Sequence, residues 1–257
     1  MDHPQGEYLD LHNSSTFQHI TQCSERSTAV FGFKVHFGPL TLKLYDKGAR
    51  VLGVEAIAHN IKGLRCGKSV EKLPIMLVQL QRMAIDFLNV VQAAHHSFLP
   101  DGILDTLVAP TQRGERRLAG VDLQNPRIRA VSEALLVLSP KPGGFTLTEL
   151  AAQVRKRFPD SPLNHAPRHA SYDLSKLRGK ALVERVERSR RYRIPQQGIR
   201  ILGGMLILRD KVIKPVLAGL GKPHVGRPPK NLCPLDQHYV NLQQEMYRTF
   251  ETLALAT

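Results

Sequence analysis

The chain has 257 residues, 42% apolar and 23% charged, a make-up that excludes a disordered or fibrous chain. Its formal charge of +14 directs attention to acidic partners, either nucleic acid or an anionic membrane surface. Cys23, Cys66 and Cys233 are widely spaced and odd in number, which argues against a disulfide framework and offers no C-x-x-C for zinc or redox work.

Trp is absent and aromatics are 6%, so the core is expected to be aliphatic. Residues 1–29 are polar with little periodicity, and read as a flexible lead-in without an apolar signal region. Three short apolar or alternating runs follow, at 30–37, 40–45 and 51–58. Gly38-Pro39 and Asp46-Lys47-Gly48 separate them as turn formers, and three antiparallel strands are expected. A long helix opens near Pro74, with Leu73, Leu77, Leu80, Ala84, Leu88, Val91, His95 and Phe98 recurring at helical spacing as its apolar face. Pro100-Asp101-Gly102 ends it. Residues 101–124 hold Gly, Pro and the basic cluster Arg113, Arg116 and Arg117, and read as a linker.

A second unit starts at Asn125-Pro126, an N-cap followed by proline in the first turn. Ile128, Val131, Leu135 and Leu138 mark one face of that helix. Thr146 and Glu149 have capping-box spacing ahead of a second helix carrying Leu147, Leu150, Val154 and Phe158. A third helix runs to Gly179, with Tyr172, Leu174 and Leu177 expected inward. The pattern then alternates, predicting a strand at 182–186, a turn at 187–190 and a returning strand at 191–194. A further helix is expected from about Gln196 to Leu208 or beyond, weakened by Gly203 and Gly204. Residues 125–200 hold 16 Lys/Arg against six Asp/Glu, so most of the surplus charge lies in under a third of the chain.

The run from Tyr172 through Asp173, Leu174, Ser175, Lys176, Leu177, Arg178, Gly179 and Lys180 to Val186, with Arg190-Arg191-Tyr192-Arg193 after it, resembles winged-helix transcription regulators. The resemblance covers residues 125–200. It implies a third helix in the DNA major groove and a hairpin wing along the phosphates. Arg168, His169, Ser171, Ser175 and Lys176 would then face the groove, and Arg188, Arg190 and Arg191 would sit at the wing. Arg178 and Lys180, near the helix end, read as backbone contacts or helix-dipole partners. The alternative within the same fold is a module for protein contacts with a solvated basic face.

Residues 224–230, His-Val-Gly-Arg-Pro-Pro-Lys, resemble an AT-hook core, which would insert Arg227 into a minor groove with Lys222 and Lys230 flanking. The competing reading is a stiff proline linker. The final segment spaces Tyr239, Leu242, Met246, Phe250 and Leu253 helically, and either docks on the core or pairs two copies into a homodimer.

In the first half, Leu42-Lys43-Leu44-Tyr45-Asp46-Lys47-Gly48, then residues 51–56 and His59-Asn60, resemble a strand pair of an uncharacterised bacterial protein family associated with mobile elements. Members are often about twice this length and end in a winged helix, which implies that an N-terminal half is missing here. Gly53 stands where that family usually has arginine. A similar Tyr-Asp-Lys strand pair occurs in phage and plasmid replication initiators, and this resemblance would make Tyr45 a nucleophile and Asp46, Lys47 and Glu55 its metal ligands and charge partners. No His-x-His is present to complete such a metal site. His95-His96 diverge on a helix and His36 and His59 are isolated, so a simple hairpin turn is the competing reading. Cys66, near Arg65 and Lys68, has no recognisable base partner and reads as an ordinary thiol.

No P-loop, G-x-G-x-x-G, H-E-x-x-H or G-x-S-x-G occurs, so no cofactor is expected. The expected architecture is α+β: a lead-in at 1–29, a small antiparallel sheet with a long helix at 30–100, a linker at 101–124, a winged-helix domain at 125–220, and a basic proline linker with a terminal helix at 221–257. The expected function is binding of double-stranded DNA by a cytoplasmic, nucleoid-associated protein without a membrane partner. The enzymatic alternative is a replication- or transposition-type nuclease.

Overall fold

The computed structural model describes residues 9–10, 32–47, 51–67, 69–95, 99–157, 167–214 and 234–252. The architecture is α+β. Met1–Gly204 forms one compact unit and Met205–Thr257 a second.

The first unit opens with a four-stranded sheet. A two-residue strand β1 (Leu9–Asp10) runs parallel to β2 (Gly32–Phe37), which pairs antiparallel with β3 (Leu40–Asp46), which pairs antiparallel with β4 (Leu52–Ala58). Phe37 lies opposite Leu40, so Gly38-Pro39 is a two-residue loop, and Gly38 supplies its positive φ of 63°. Period-two alternation sends Leu40, Leu42 and Leu44 to one face, where Val35, Phe37, Val54, Ala56 and Ala58 join them.

Helix α1 (Leu73–His95) covers that face, but not with the residues its spacing suggests. It buries Met76, Met83, Phe87, Val90 and Ala93, whereas Leu73, Leu77 and Leu88 of the expected face are exposed. The helix is apolar on several sides, so spacing alone leaves its phase open. The leucines of β3 choose the side on which methionine and phenylalanine fill the space. Phe98 lies outside the described residues.

Residues 101–124, expected as a linker, contain helix α2 (Ile103–Val108) and the antiparallel hairpin β5 (Thr111–Arg113) and β6 (Arg116–Leu118). Leu107, Leu118, Val121 and Leu123 are buried, and the Val121 amide donates to the Leu107 carbonyl at 2.7 Å. Each element is too short for a periodic signal, which is why the sequence read as a connector.

Helices α3 (Pro126–Leu138), α4 (Leu147–Arg157) and α5 (Pro167–Gly179) pack against one another. Asn125 caps α3 by accepting from the Arg127 amide at 2.9 Å, and Ile128, Val131, Leu135 and Leu138 are all buried. The capping box of α4 forms in both directions: the Thr146 amide donates to Glu149 Oε2 at 2.9 Å, and the Glu149 amide donates to Thr146 Oγ1 at 3.3 Å. Burial raises the pKa of Glu149, but bonds from Lys141 and the Thr146 backbone, with the charges of Lys141 and Arg191, outweigh it and leave the carboxyl below its ordinary range.

Strands β7 (Glu184–Arg185) and β8 (Tyr192–Arg193) form the final hairpin. Phe145 exchanges both backbone bonds with Tyr192, at 2.9 and 2.8 Å, and so adds a third short rung to that hairpin. Helix α6 (Gln196–Ile207) follows, with Ile199, Ile201 and Leu202 buried, and Gln196 bonds Asn89 of α1 at 3.2 Å. Gly203 and Gly204 do not interrupt it. The chain continues in a wider turn over Leu208–Ile213.

In the second unit, helix α7 (Pro234–Thr252) forms as its spacing suggests, and the Tyr239 hydroxyl donates to the Lys211 carbonyl. Phe250 and Leu253 are among the residues whose side chains lie outside the description. Among the described residues, no helix is long and apolar enough to cross a membrane.

Candidate nucleic-acid interface

Helix α5 is two-sided. Ala170, Asp173, Leu174 and Leu177 are buried, and Arg168, Ser171, Tyr172 and Ser175 lie along the opposite stripe, with Lys176 and Arg178 on its flanks. The only acid in the helix, Asp173, is thus turned into the core, where it accepts from Arg127 Nη2 of α3 at 2.9 Å. Burial raises its pKa above the ordinary aspartate value, against the lowering charges of Arg127, Lys176 and His169. With the carboxylate removed inward, the open stripe carries only neutral and basic side chains.

Several of these side chains have defined partners. Ser175 donates its hydroxyl to the Ser171 carbonyl at 2.8 Å, the usual back-bond of a helical serine, leaving its oxygen as an outward acceptor. His169 is half-buried within electrostatic reach of Asp173. Tyr172, expected inward, is 48% exposed, and its ring lies under the Lys176 ammonium at 4.8 Å. The aromatic was misassigned because Leu174 and Leu177, with Ala170 between turns, suffice to fill the contact with α4.

The hairpin tip at 187–190 is tight. The Val186 amide donates to the Arg191 carbonyl at 2.9 Å, Ser189 bonds back to Val186, and Arg188 takes a positive φ of 52°. A left-handed arginine carries a strain cost that asparagine or glycine would avoid. Arg188 and Arg190 are exposed there. Arg185 is exposed as well and donates from Nε to the Ser189 carbonyl at 2.8 Å, bracing the turn.

Arg191 does not join them. It is 9% exposed and donates to the Gly143 and Gly144 carbonyls, each at 2.8 Å, with Glu149 at 3.6 Å. Its guanidinium fastens the hairpin to the loop before α4, so the expected phosphate contact is corrected to an internal brace. Gly144 has φ of 76°, and a Cβ there would sit 2.3 Å from the Tyr192 carbonyl oxygen, so the brace requires that glycine. Arg193, next on the strand, pairs with Glu184.

At the C-terminal end of α5, Arg178 stacks over the Tyr192 ring at 5.6 Å. Desolvation and then the nearby Arg113 charge lower its pKa, Tyr192 partly offsets them, and Arg185 adds a smaller lowering effect. Lys180 is committed elsewhere, its ammonium donating to the Thr106 carbonyl. Arg113 and Arg185 are the basic groups that the sequence reading left out of the site. The turn-forming Gly114, which takes a positive φ of 59°, was the one local hairpin signal. Arg227, Lys222 and Lys230 of the AT-hook-like stretch lie outside the described residues.

Of the strand-pair residues of the nuclease alternative, Tyr45 and Glu55 lie on the sheet face opposite α1. Tyr45 lies over Gly53, where a Cβ would come within 2.6 Å of the ring, and its hydroxyl donates to Glu55 Oε1 at 2.7 Å. An arginine at 53 would displace that ring. Lys47 closes the hairpin through its amide to the Val51 carbonyl at 2.8 Å, and Asp46 is exposed. Thr41, buried, bridges His36 Nδ1 at 2.9 Å and His59 Nε2 at 3.0 Å. Among the described residues no three His, Cys, Asp or Glu side chains are grouped to hold a metal. Cys66 is half-buried and forms no disulfide among the described residues. Compared with known proteins, the chain matches no family model, no curated sequence and no solved structure.

Proposed function

We propose that this chain binds double-stranded DNA, with α5 entering the major groove and the β7–β8 hairpin lying along the backbone as a wing. The observation that carries the reading is the turning of Asp173 into the core, which leaves Arg168, Ser171, Tyr172, Ser175 and Lys176 as an acid-free open stripe. A helix of 13 residues spans about 20 Å, and the major groove, roughly 12 Å wide, admits it. Arg168, Ser171, Ser175 and Lys176 reach for base edges. Arg188 and Arg190 make charge-assisted phosphate contacts that set register without reading sequence.

The order helix, helix, helix, hairpin, with the extra Phe145–Tyr192 rung, supports the likeness to winged-helix regulators. The resemblance of the β3–β4 strand pair to a mobile-element family supports a role in regulating or maintaining such an element.

The test is binding of the full chain to random duplex DNA across a salt series. Affinity is expected to fall steeply with salt, and Arg188→Gln with Arg190→Gln to flatten the log–log slope by about 2 while weakening every sequence alike. Absence of binding at low salt would reject the proposal and favour a module for protein contacts. Binding that the wing substitutions leave unchanged would reject the wing assignment.

A further inference from the structure

We propose that the β5–β6 hairpin is a second DNA-backbone contact, in which Arg113 and Arg116 join Arg178 and Arg185 to hold phosphate at the C-terminal end of α5. The inference rests on the duplex-binding reading above and adds an element outside the three helices and the wing.

Register fixes which way the hairpin arginines face. Thr111 lies opposite Leu118, Gln112 opposite Arg117, and Arg113 opposite Arg116. Directly opposed residues share a face, and residues two apart on one strand do too. Thr111, Leu118, Arg113 and Arg116 therefore emerge on one side, and Gln112 and Arg117 on the other. The first pair rests on α5: a Cβ added to Gly179 would lie 3.3 Å from Thr111 Cγ2 and 3.6 Å from Leu118 Cδ1. Arg113 and Arg116 continue that face toward the tip. A Cβ at Gly114 would meet nothing within 4 Å, so the tip stands clear of the described residues.

Three elements thus converge in charge. Arg113 comes from β5, Arg178 from α5 and Arg185 from β7, and the first and last both act electrostatically on Arg178. Like charges directly opposite across an antiparallel pair destabilise it, as Arg113 and Arg116 do here. The partial negative charge at a helix C-terminus accounts for one neighbouring cation. It does not account for four guanidinium groups from four strands and helices. Phosphates of a polyanion placed among them offset that mutual repulsion. Within residues 111–118 the sole acid, Glu115, sits in the turn.

The experiment compares the full chain with Arg113→Gln/Arg116→Gln, Arg113→Lys/Arg116→Lys and Arg117→Gln, each titrated with random duplex DNA across a salt series alongside a thermal melt. The glutamine pair is expected to flatten the salt slope by about 2 and weaken affinity about tenfold for all sequences, with Tm unchanged or higher. The lysine pair keeps the slope, and Arg117→Gln, on the opposite face, leaves binding as it was. Steep wild-type binding that the glutamine pair does not alter overturns the hairpin inference and leaves the duplex reading standing. Equal losses in the glutamine and lysine pairs with a lowered Tm overturn it as well, by making the hairpin a structural support. Absence of wild-type binding at low salt overturns the duplex reading itself.

Discussion

Helices α1 and α5 each seat one side against a packed layer, yet they differ in how their sequences announce that side. In α5, arginine, serine and lysine occupy one stripe and Ala170, Leu174 and Leu177 the other, so the polar residues mark what must stay in water. In α1 the circumference is largely apolar, and Ile75, Leu77, Val78 and Ile85 are exposed although they would suit a core. The difference teaches that helical period selects a face only when the opposite face is polar. Where it is not, the partner layer selects.

The largest effect expected tests that selection. Phe87 is 4% exposed and Leu77 57% exposed on the same helix. Phe87→Ala is expected to cost about 3–5 kcal/mol in urea unfolding and Leu77→Ala under about 0.5 kcal/mol. Equal costs would break the comparison by showing that both sides of α1 are packed.

A somewhat smaller effect is expected at the seat of α5. Arg127→Ala leaves Asp173 as a buried charge without its salt-bridge partner, a change that costs about 3 kcal/mol at neutral pH. The sign with pH is specific. Asp173 has a folded pKa above its unfolded one, so the folded state binds more protons in that window, and stability at this locus falls as pH rises through it. The deficit of Arg127→Ala is therefore expected to shrink on acidification, as protonation removes the charge. A deficit that grows toward acid pH would show that the carboxyl is not held in its neutral-favouring site.

The smallest of the three concerns the start of α4. Glu149→Ala is expected to lose about 1 kcal/mol, the usual worth of a cap. Here the folded pKa is lowered, so the contribution is present above the unfolded value and lost as pH falls through the folded one. Denaturant midpoints of wild type and variant should converge at acid pH. A constant gap down to pH 3 would assign the loss to packing instead of the carboxylate.

Local signals were legible wherever one residue type performs one backbone task. Asn125-Pro126 and Thr146 with Glu149 were readable as caps because their side chains bond backbone donors two or three residues on. The strands were readable from alternation, and the basic stripe of α5 from its spacing. Arg191 was not, because nothing local separates it from Arg188 and Arg190; two glycine carbonyls, 47 and 48 residues away in sequence, claim its guanidinium. The hairpin at 111–118 was missed for a related reason, since three-residue strands carry too little periodicity and are held by contacts with Gly179.

The sequence by itself determined the α+β class, the starts of α1, α3 and α4, the turns at Gly38-Pro39 and after Asp46, and the concentration of positive charge in residues 125–200. Those depend on neighbours within about four residues, or on simple composition. Tertiary structure alone decided which arginines meet solvent, that Asp173 leaves the open stripe to pair with Arg127, and which side of α1 meets the sheet. Each of these turns on contacts between residues distant in sequence, where desolvation and the fit of facing side chains outweigh local preference.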